Sequence, residues 1–249
     1  SALIVVGDLN ESELISLLNK YLSEWKTPKN EPAISLTSVE QAKKIYLYHK
    51  KDSVQTEIRA GHITEKRNQK DFFQRYLLNT ILGGQFTSRI NLNLRERNGY
   101  TYGATSRFQY YKDSAFFEVS TSVGSENTIN AVKEILFELD KIKDGVTIKE
   151  LEFAKSSITK KFPLNFETYR QIASGVAGRI LFDLPENYFD TYIRNILSVS
   201  KSDVDEAAKK FIMNDKLAIV LVGDKNILLP KLSKLSIDVV EVDLYGNVI

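Results

Sequence analysis

Residues Leu82 to Gly103 read LGGQFTSRINLNLRERNGYTYG, and the rest of the chain arranges itself around them. An apolar helical run stops at Gly83-Gly84, and a short basic helix then carries Arg89, Arg95 and Arg97, with Thr87 or Ser88 placed to cap it. Asn98-Gly99 makes the turn that follows. From Tyr100 to Tyr110 the residues alternate like a strand, and Ser114 to Val123 alternates again, so the pair predicts a hairpin turning at Lys112-Asp113. That geometry could carry the Arg95 guanidinium and the Tyr102 phenol to nearly one point. Both groups donate hydrogen bonds, and two donors beside a carbonyl under attack would stabilise the oxyanion that forms. A blander account is available: an Arg near a helix carboxy end suits the dipole, and a Tyr in a strand packs well. Arg97 competes with Arg95. Tyr100, on the same strand face as Tyr102 if the alternation holds, is a further candidate for touching a substrate.

Working outward, strands are expected at about 44–49 and 54–61, then an amphipathic helix from Asp71 to Leu82 with Phe73, Tyr76, Leu77 and Ile81 on its apolar stripe. Beyond the hairpin, Ser125 is placed to cap a helix running through Ile142, and Thr147-x-x-Glu150 forms a capping box for the next. Pro163 breaks that helix. Further helices are expected at about 167–182, 186–197 and 202–213, and strands at 217–223 and 238–244 flank a short helix. Hairpin-linked strands with helices in blocks indicate an α+β class and not a doubly wound sheet. Leu3-Ile4-Val5-Val6-Gly7-Asp8 is echoed by Ala218-Ile219-Val220-Leu221-Val222-Gly223-Asp224, each an apolar run that reads as a buried strand entering a helix. Thr27 to Ser38, with Pro28 and Pro32, reads as a linker.

Composition narrows the functions. The 249 residues carry 34 basic and 32 acidic side chains, a net charge of +2, so no basic field for nucleic acid is present. No apolar run is long enough to span a bilayer. With no cysteine and two histidines, disulfides and a cysteine nucleophile are excluded, and no Ser-His-Asp set is recognisable. The glycines around 83–103 lack the signatures of a phosphate loop. The compartment is left open.

Leu94-Arg95 followed by Gly99-Tyr100-Thr101-Tyr102 resembles a motif of the carboxy-terminal half of pitrilysin/insulinase-type zinc metallopeptidases, the inverzincins. Val54-Gln55 with Ile58-Arg59-Ala60-Gly61-His62, the Phe162-Pro163-Leu164-Asn165-Phe166-Glu167-Thr168 junction, and Leu184-Pro185 with Tyr188 and Asp190-Thr191-Tyr192 extend the similarity over roughly 40–249. The resemblance implies an antiparallel sheet backed by helices on one face. It also implies that Arg95, directly after the Leu, and Tyr102, closing Gly-x-x-Tyr, reach a peptide carbonyl at the zinc.

The family's zinc motif, H-x-x-E-H, is missing. The nearest run is His62-Ile63-Thr64-Glu65-Lys66, which lacks the second His and lies on a strand. Neither His62 nor His49 is therefore expected to bind metal, and no cofactor is assigned to this chain. Zinc is expected in a partner half. Residues 1–27 would be the last strand and helix (Glu11 to Trp25) of that preceding half, 28–39 the linker, and 40–249 the peptidase-like domain. Since the chain opens inside a strand-like run, its natural amino terminus is expected further upstream. The implied activity is binding of unfolded peptides and assistance to their hydrolysis by the zinc-bearing half, the chain alone being inactive. A non-catalytic structural or substrate-presenting subunit of the same family is the alternative.

Overall fold

A computed structural model of the chain describes residues 2–26, 41–67 and 70–249. In chain order the elements are α1 (Glu11–Leu22), β1 (Lys44–His49), β2 (Gln55–Thr64), α2 (Phe72–Leu82) and α3 (Arg89–Asn91), which passes into a π-helix (Leu92–Arg97). There follow β3 (Ala104–Tyr110), β4 (Ala115–Gly124), α4 (Thr128–Lys141), α5 (Ile148–Lys161), α6 (Tyr169–Leu181), α7 (Tyr188–Ser198), α8 (Lys201–Phe211), β5 (Ala218–Gly223), α9 (Lys225–Leu232) and β6 (Val239–Val242). The chain divides into two compact units: Ser1–Glu40 with Lys161–Pro185, and Gln41–Lys160 with Glu186–Ile249.

The second unit is built on a six-stranded sheet in the order β3-β4-β2-β5-β1-β6. The β3/β4, β4/β2 and β2/β5 pairs are antiparallel, in keeping with the expected α+β class. The sheet is mixed, however, because β1 lies parallel to both β5 and β6. Long connections account for this: β5 returns to β1 only after the whole helical block, and α9 carries the chain from β5 to β6, whereas a tight turn would force antiparallel pairing.

Alternation along β2 and β4 drives one face into the core. Ile58, Ala60 and His62 on β2, with Phe117, Val119 and Val123 on β4, are buried. Helices α2 and α4 pack on that side, with Leu77, Leu78, Leu82, Val132, Ile135 and Leu139 closing the core. Thr147 and Glu150 form the expected capping box, since each backbone N–H donates to the other side chain (2.7 and 3.1 Å). Ser125 does not cap its helix. It starts a 3₁₀ turn, and its hydroxyl donates instead to the Ser53 carbonyl at 3.1 Å.

In the first unit, α1 forms as expected but ends at Leu22, three residues before Trp25. Asn10 caps it through the Ser12 N–H at 3.0 Å. Its apolar residues Ile15, Leu17 and Tyr21 are exposed. Leu3 to Asp8, expected as a strand, takes no regular secondary structure. An extended run becomes a strand only when a neighbour takes up its N–H and C=O groups, and none does so here among the described residues. Pro163 ends α5 as expected, in a 3₁₀ turn over Phe162–Phe166, and Thr168 then caps α6 with a box closed by Gln171. The linker falls outside the described residues. No helix among the described residues is long and apolar enough to cross a membrane.

His62 is buried, and burial lowers its pKa from the ordinary 6.5. The carbonyl of Ile63 faces Nδ1 at 3.1 Å and can only accept, so Nδ1 carries the proton; Nε2 then accepts the Met213 N–H at 3.2 Å. The folded state therefore holds the neutral ring. The unfolded chain binds a proton more readily, so this contribution is complete above about pH 6.5 and is lost as pH falls below it. A urea midpoint that drops from pH 7.5 to 5.5 in the native chain, and drops less in His62→Gln, is the expected result; identical slopes would remove His62 from the effect.

Candidate functional site

The segment that follows α2 is held by asparagines. Asn79 accepts the N–H groups of Gly83 and Gly84 on its carbonyl (2.9 and 2.7 Å), while its side chain donates to the Ser106 carbonyl (3.0 Å) and accepts the Ser106 hydroxyl (2.8 Å). The two glycines are required by close approach. A Cβ on Gly83 would stand 2.4 Å from Ser106 Oγ, and one on Gly84 would stand 2.7 Å from Asn79 Nδ2. Asn91, almost fully buried, donates to the Phe86 carbonyl (2.6 Å) and accepts the Ala104 N–H (2.9 Å). It thus ties the loop before the basic helix to the strand after it. Asn93 donates to Glu134 and Glu138, and Asn98 bonds back to Asn93. None of these anchoring roles was read from the sequence. The signal available was polar residues at positions facing inward between Ile90 and Leu94.

The basic helix is not a regular α-helix. After one α-turn it widens to a π-helix over Leu92–Arg97, with the Asn98 N–H donating five residues back to Asn93 at 3.1 Å. Ser88 stands at its start, but its buried hydroxyl makes no capping bond. Gly99, in the left-handed region at φ +64°, closes it, and the Tyr100 N–H donates to the Leu94 carbonyl at 2.9 Å. The three arginines have separate fates. Arg89 forks onto Glu150 (2.6 and 2.9 Å) and reaches the Gly145 carbonyl. Burial of Glu150 opposes its charge, yet Arg89 and the Thr147 cap outweigh it and hold the carboxyl at about 2. Arg97 is exposed and makes no ion pair among the described residues.

Arg95 is one-third exposed, with only a weak 3.6 Å pair to Glu96 through Nε. Its Nη1 is shielded from solvent and has no hydrogen-bond partner among the described residues. Below the guanidinium lies the Phe86 ring, 4.2 Å from Cζ.

Tyr102 is 96% exposed. The alternation expected from Tyr100 is broken, because β3 starts only at Ala104 and residues 98–103 form a loop. Gly99 reverses the chain there, and the Thr101 hydroxyl bonds Gly103 on both its N–H and C=O while Thr121 donates to both residues. Tyr100 and Tyr102 consequently do not share a strand face. The Tyr100 ring is partly buried against the core. Arg95 and Tyr102 sit on one stapled segment, each with donors to spare, and no hydrogen bond joins them.

A zinc ion does not fit these residues. Both nitrogens of His62 are engaged, and His49 accepts the Lys225 N–H on Nδ1 at 3.1 Å. Among the described residues no three His, Asp or Glu side chains gather into a possible metal site.

The family model of the peptidase M16 inactive domain matches residues 1–158. The non-peptidase homolog YmxG of Helicobacter pylori is 25% identical over 231 residues, which cover 90% of this chain and 52% of that protein. The human mitochondrial-processing peptidase subunit alpha is 26% identical over 63% of the chain and 32% of its own length. The chain thus spans about half the length, or less, of these relatives. In fold it is similar to a crystal structure of a peptidase M16 inactive domain from Pseudomonas fluorescens, with a TM-score of 0.75 and 23% identity over 88% of this chain and 52% of that one. A chain of complex III2 from Candida albicans shares the fold at a TM-score of 0.71 and 13% identity, over 89% and 54%. The resemblance drawn from Leu94-Arg95 and Gly99 to Tyr102 is thereby borne out, and the chain belongs to the peptidase M16 inactive domain family.

Proposed function

We propose that this chain is the substrate-binding, transition-state-assisting half of a zinc-dependent endopeptidase that acts on unfolded peptides. One observation carries the reading: two side chains of one stapled segment, Arg95 on the π-helix and Tyr102 on the loop after it, keep hydrogen-bond donors unspent among the described residues. A scaffold gains nothing from a buried guanidinium N–H without an acceptor, and that deficit is relieved if Arg95, one-third exposed, turns Nη1 outward onto an arriving peptide carbonyl. Zinc would belong to the other half, which the exposed apolar side chains of α1 support as a partner for this one. Residues 1–27 belong to that preceding half in this reading, with 40–249 as the substrate-binding domain. Arg95 grips the substrate carbonyl and Tyr102 meets the charge that develops on it. Tyr100 is a wall of the loop.

The name of the Helicobacter pylori relative favours a second reading, a non-catalytic structural or substrate-presenting subunit. The experiment that separates them measures hydrolysis of an unstructured peptide by this chain assembled with its zinc-bearing half. Arg95→Lys is expected to lower kcat by about tenfold to a hundredfold, since an ammonium cannot reproduce the planar fork, while Arg97→Lys leaves it unchanged. No turnover by the intact assembly, or equal damage from the two substitutions, would establish the second reading.

A further inference from the structure

Phe86 lies in the turn between Gly84 and the basic helix, and its ring is largely exposed. It makes no ring–ring contact among the described residues, so aromatic stacking does not explain its place. What it does touch is Arg95, whose Cζ lies 4.2 Å from the ring centroid. The backbone beneath the ring is fixed, because nearly buried Asn91 bonds the Phe86 carbonyl and, through its other amide atom, the start of β3. We propose that Phe86 is a positioning residue for Arg95, and this rests on reading Arg95 as a donor to the substrate.

The reason is geometric. A guanidinium can be held in place by a carboxylate or by an aromatic ring. A carboxylate takes its N–H groups, which lie in the plane, and so consumes the donors. A ring attracts the cation through its face and leaves the edge N–H groups free. Around Arg95 the carboxylate option is close by but poorly met, with Glu96 at 3.6 Å from Nε, while the facial contact is short. Nη1 therefore stays unpartnered. Without the ring, Arg95 would be free to swing into a full pair with Glu96, spending the donors that the peptide carbonyl needs.

The test uses this chain assembled with its zinc-bearing half and an unstructured peptide, with Phe86→Leu, Phe86→Tyr, Arg95→Lys and the double variant Phe86→Leu/Arg95→Lys. Phe86→Leu keeps an apolar side chain but has no π-face. It is expected to lower kcat about tenfold with KM and melting temperature nearly unchanged, and Phe86→Tyr is expected to restore the native rate. Because the ring acts through the guanidinium, the double variant should be no slower than Arg95→Lys alone. If Arg95→Lys is slow but Phe86→Leu turns over normally, the positioning role is wrong and the function of Arg95 stands. If Phe86→Leu is slow and the effects simply multiply, Phe86 acts independently and the inference is overturned. If neither substitution matters, both it and the reading of Arg95 fail.

Discussion

Tyr102→Phe, in the chain assembled with its zinc-bearing half, is expected to lower kcat by about a hundredfold to a thousandfold, the usual cost of one oxyanion donor, while KM changes little. The substitution removes a single hydroxyl. Since the side chain is 96% exposed and the loop around it is held by Thr101, Thr121 and Gly103, no folding cost accompanies the loss. A donor that served ground-state binding would raise KM instead, so the split between the two constants identifies the step in which the phenol acts. Tyr100→Phe is the internal control. Its ring is packed against the core, and loss of its hydroxyl is expected to leave turnover intact. Near-native kcat in Tyr102→Phe, or equal damage from Tyr100→Phe, would return both tyrosines to a structural role.

The largest effect on stability is expected from Arg75→Ala, which should cost about 3–5 kcal/mol. Arg75 on α2 has no exposed surface, although it is charged. Its guanidinium donates to the carbonyls of Glu65 (2.8 Å) and Lys66 (3.1 Å) and pairs with Asp71, the residue just before the helix. The plane also lies over Phe211 of α8 at 4.5 Å and near Tyr110 of β3 at 5.3 Å. One side chain thus clamps the end of β2 to α2, α8 and the sheet edge. Burial pushes the Tyr110 hydroxyl up to about 12 despite this cation. Truncation would leave two inward carbonyls without donors and open a cavity, both costly. For a chain of this size the melting temperature should fall by roughly 6–20 °C, and Arg75→Lys should recover little because one ammonium cannot serve three acceptors spread over a plane. A loss below about 1 kcal/mol in Arg75→Ala, measured by urea titration, would contradict the clamp.

Much of the fold was legible locally. Helices α2, α4, α5, α7 and α8 form where the sequence places them, and Pro163 and Thr147-x-x-Glu150 act where they stand in the sequence because breaking and capping need only residues close along the chain. Where a feature depended on a partner, the sequence misled. Leu3 to Asp8 has every mark of a strand and finds no neighbour to bond among the described residues. Tyr100 and Tyr102 alternate as a strand should, yet a left-handed Gly99 and the Thr101–Thr121 contact bend them into a loop.

The candidate site divides the same way. Arg95 and Tyr102 could be picked out because a motif is a matter of spacing, and spacing survives in the chain itself. That Arg95 rests on Phe86 with an unspent donor, that Tyr102 stands clear of its neighbours while Tyr100 turns inward, and that Asn79, Asn91 and Asn93 hold the segment were decided by tertiary structure alone. So were the parallel pairings of β1. Periodicity, capping and chain reversal are energies of residues a few positions apart, which a sequence displays directly. Strand direction, the burial of Arg75 and the fate of each polar edge are energies of groups brought together from distant positions, and exist only once the sheet has closed.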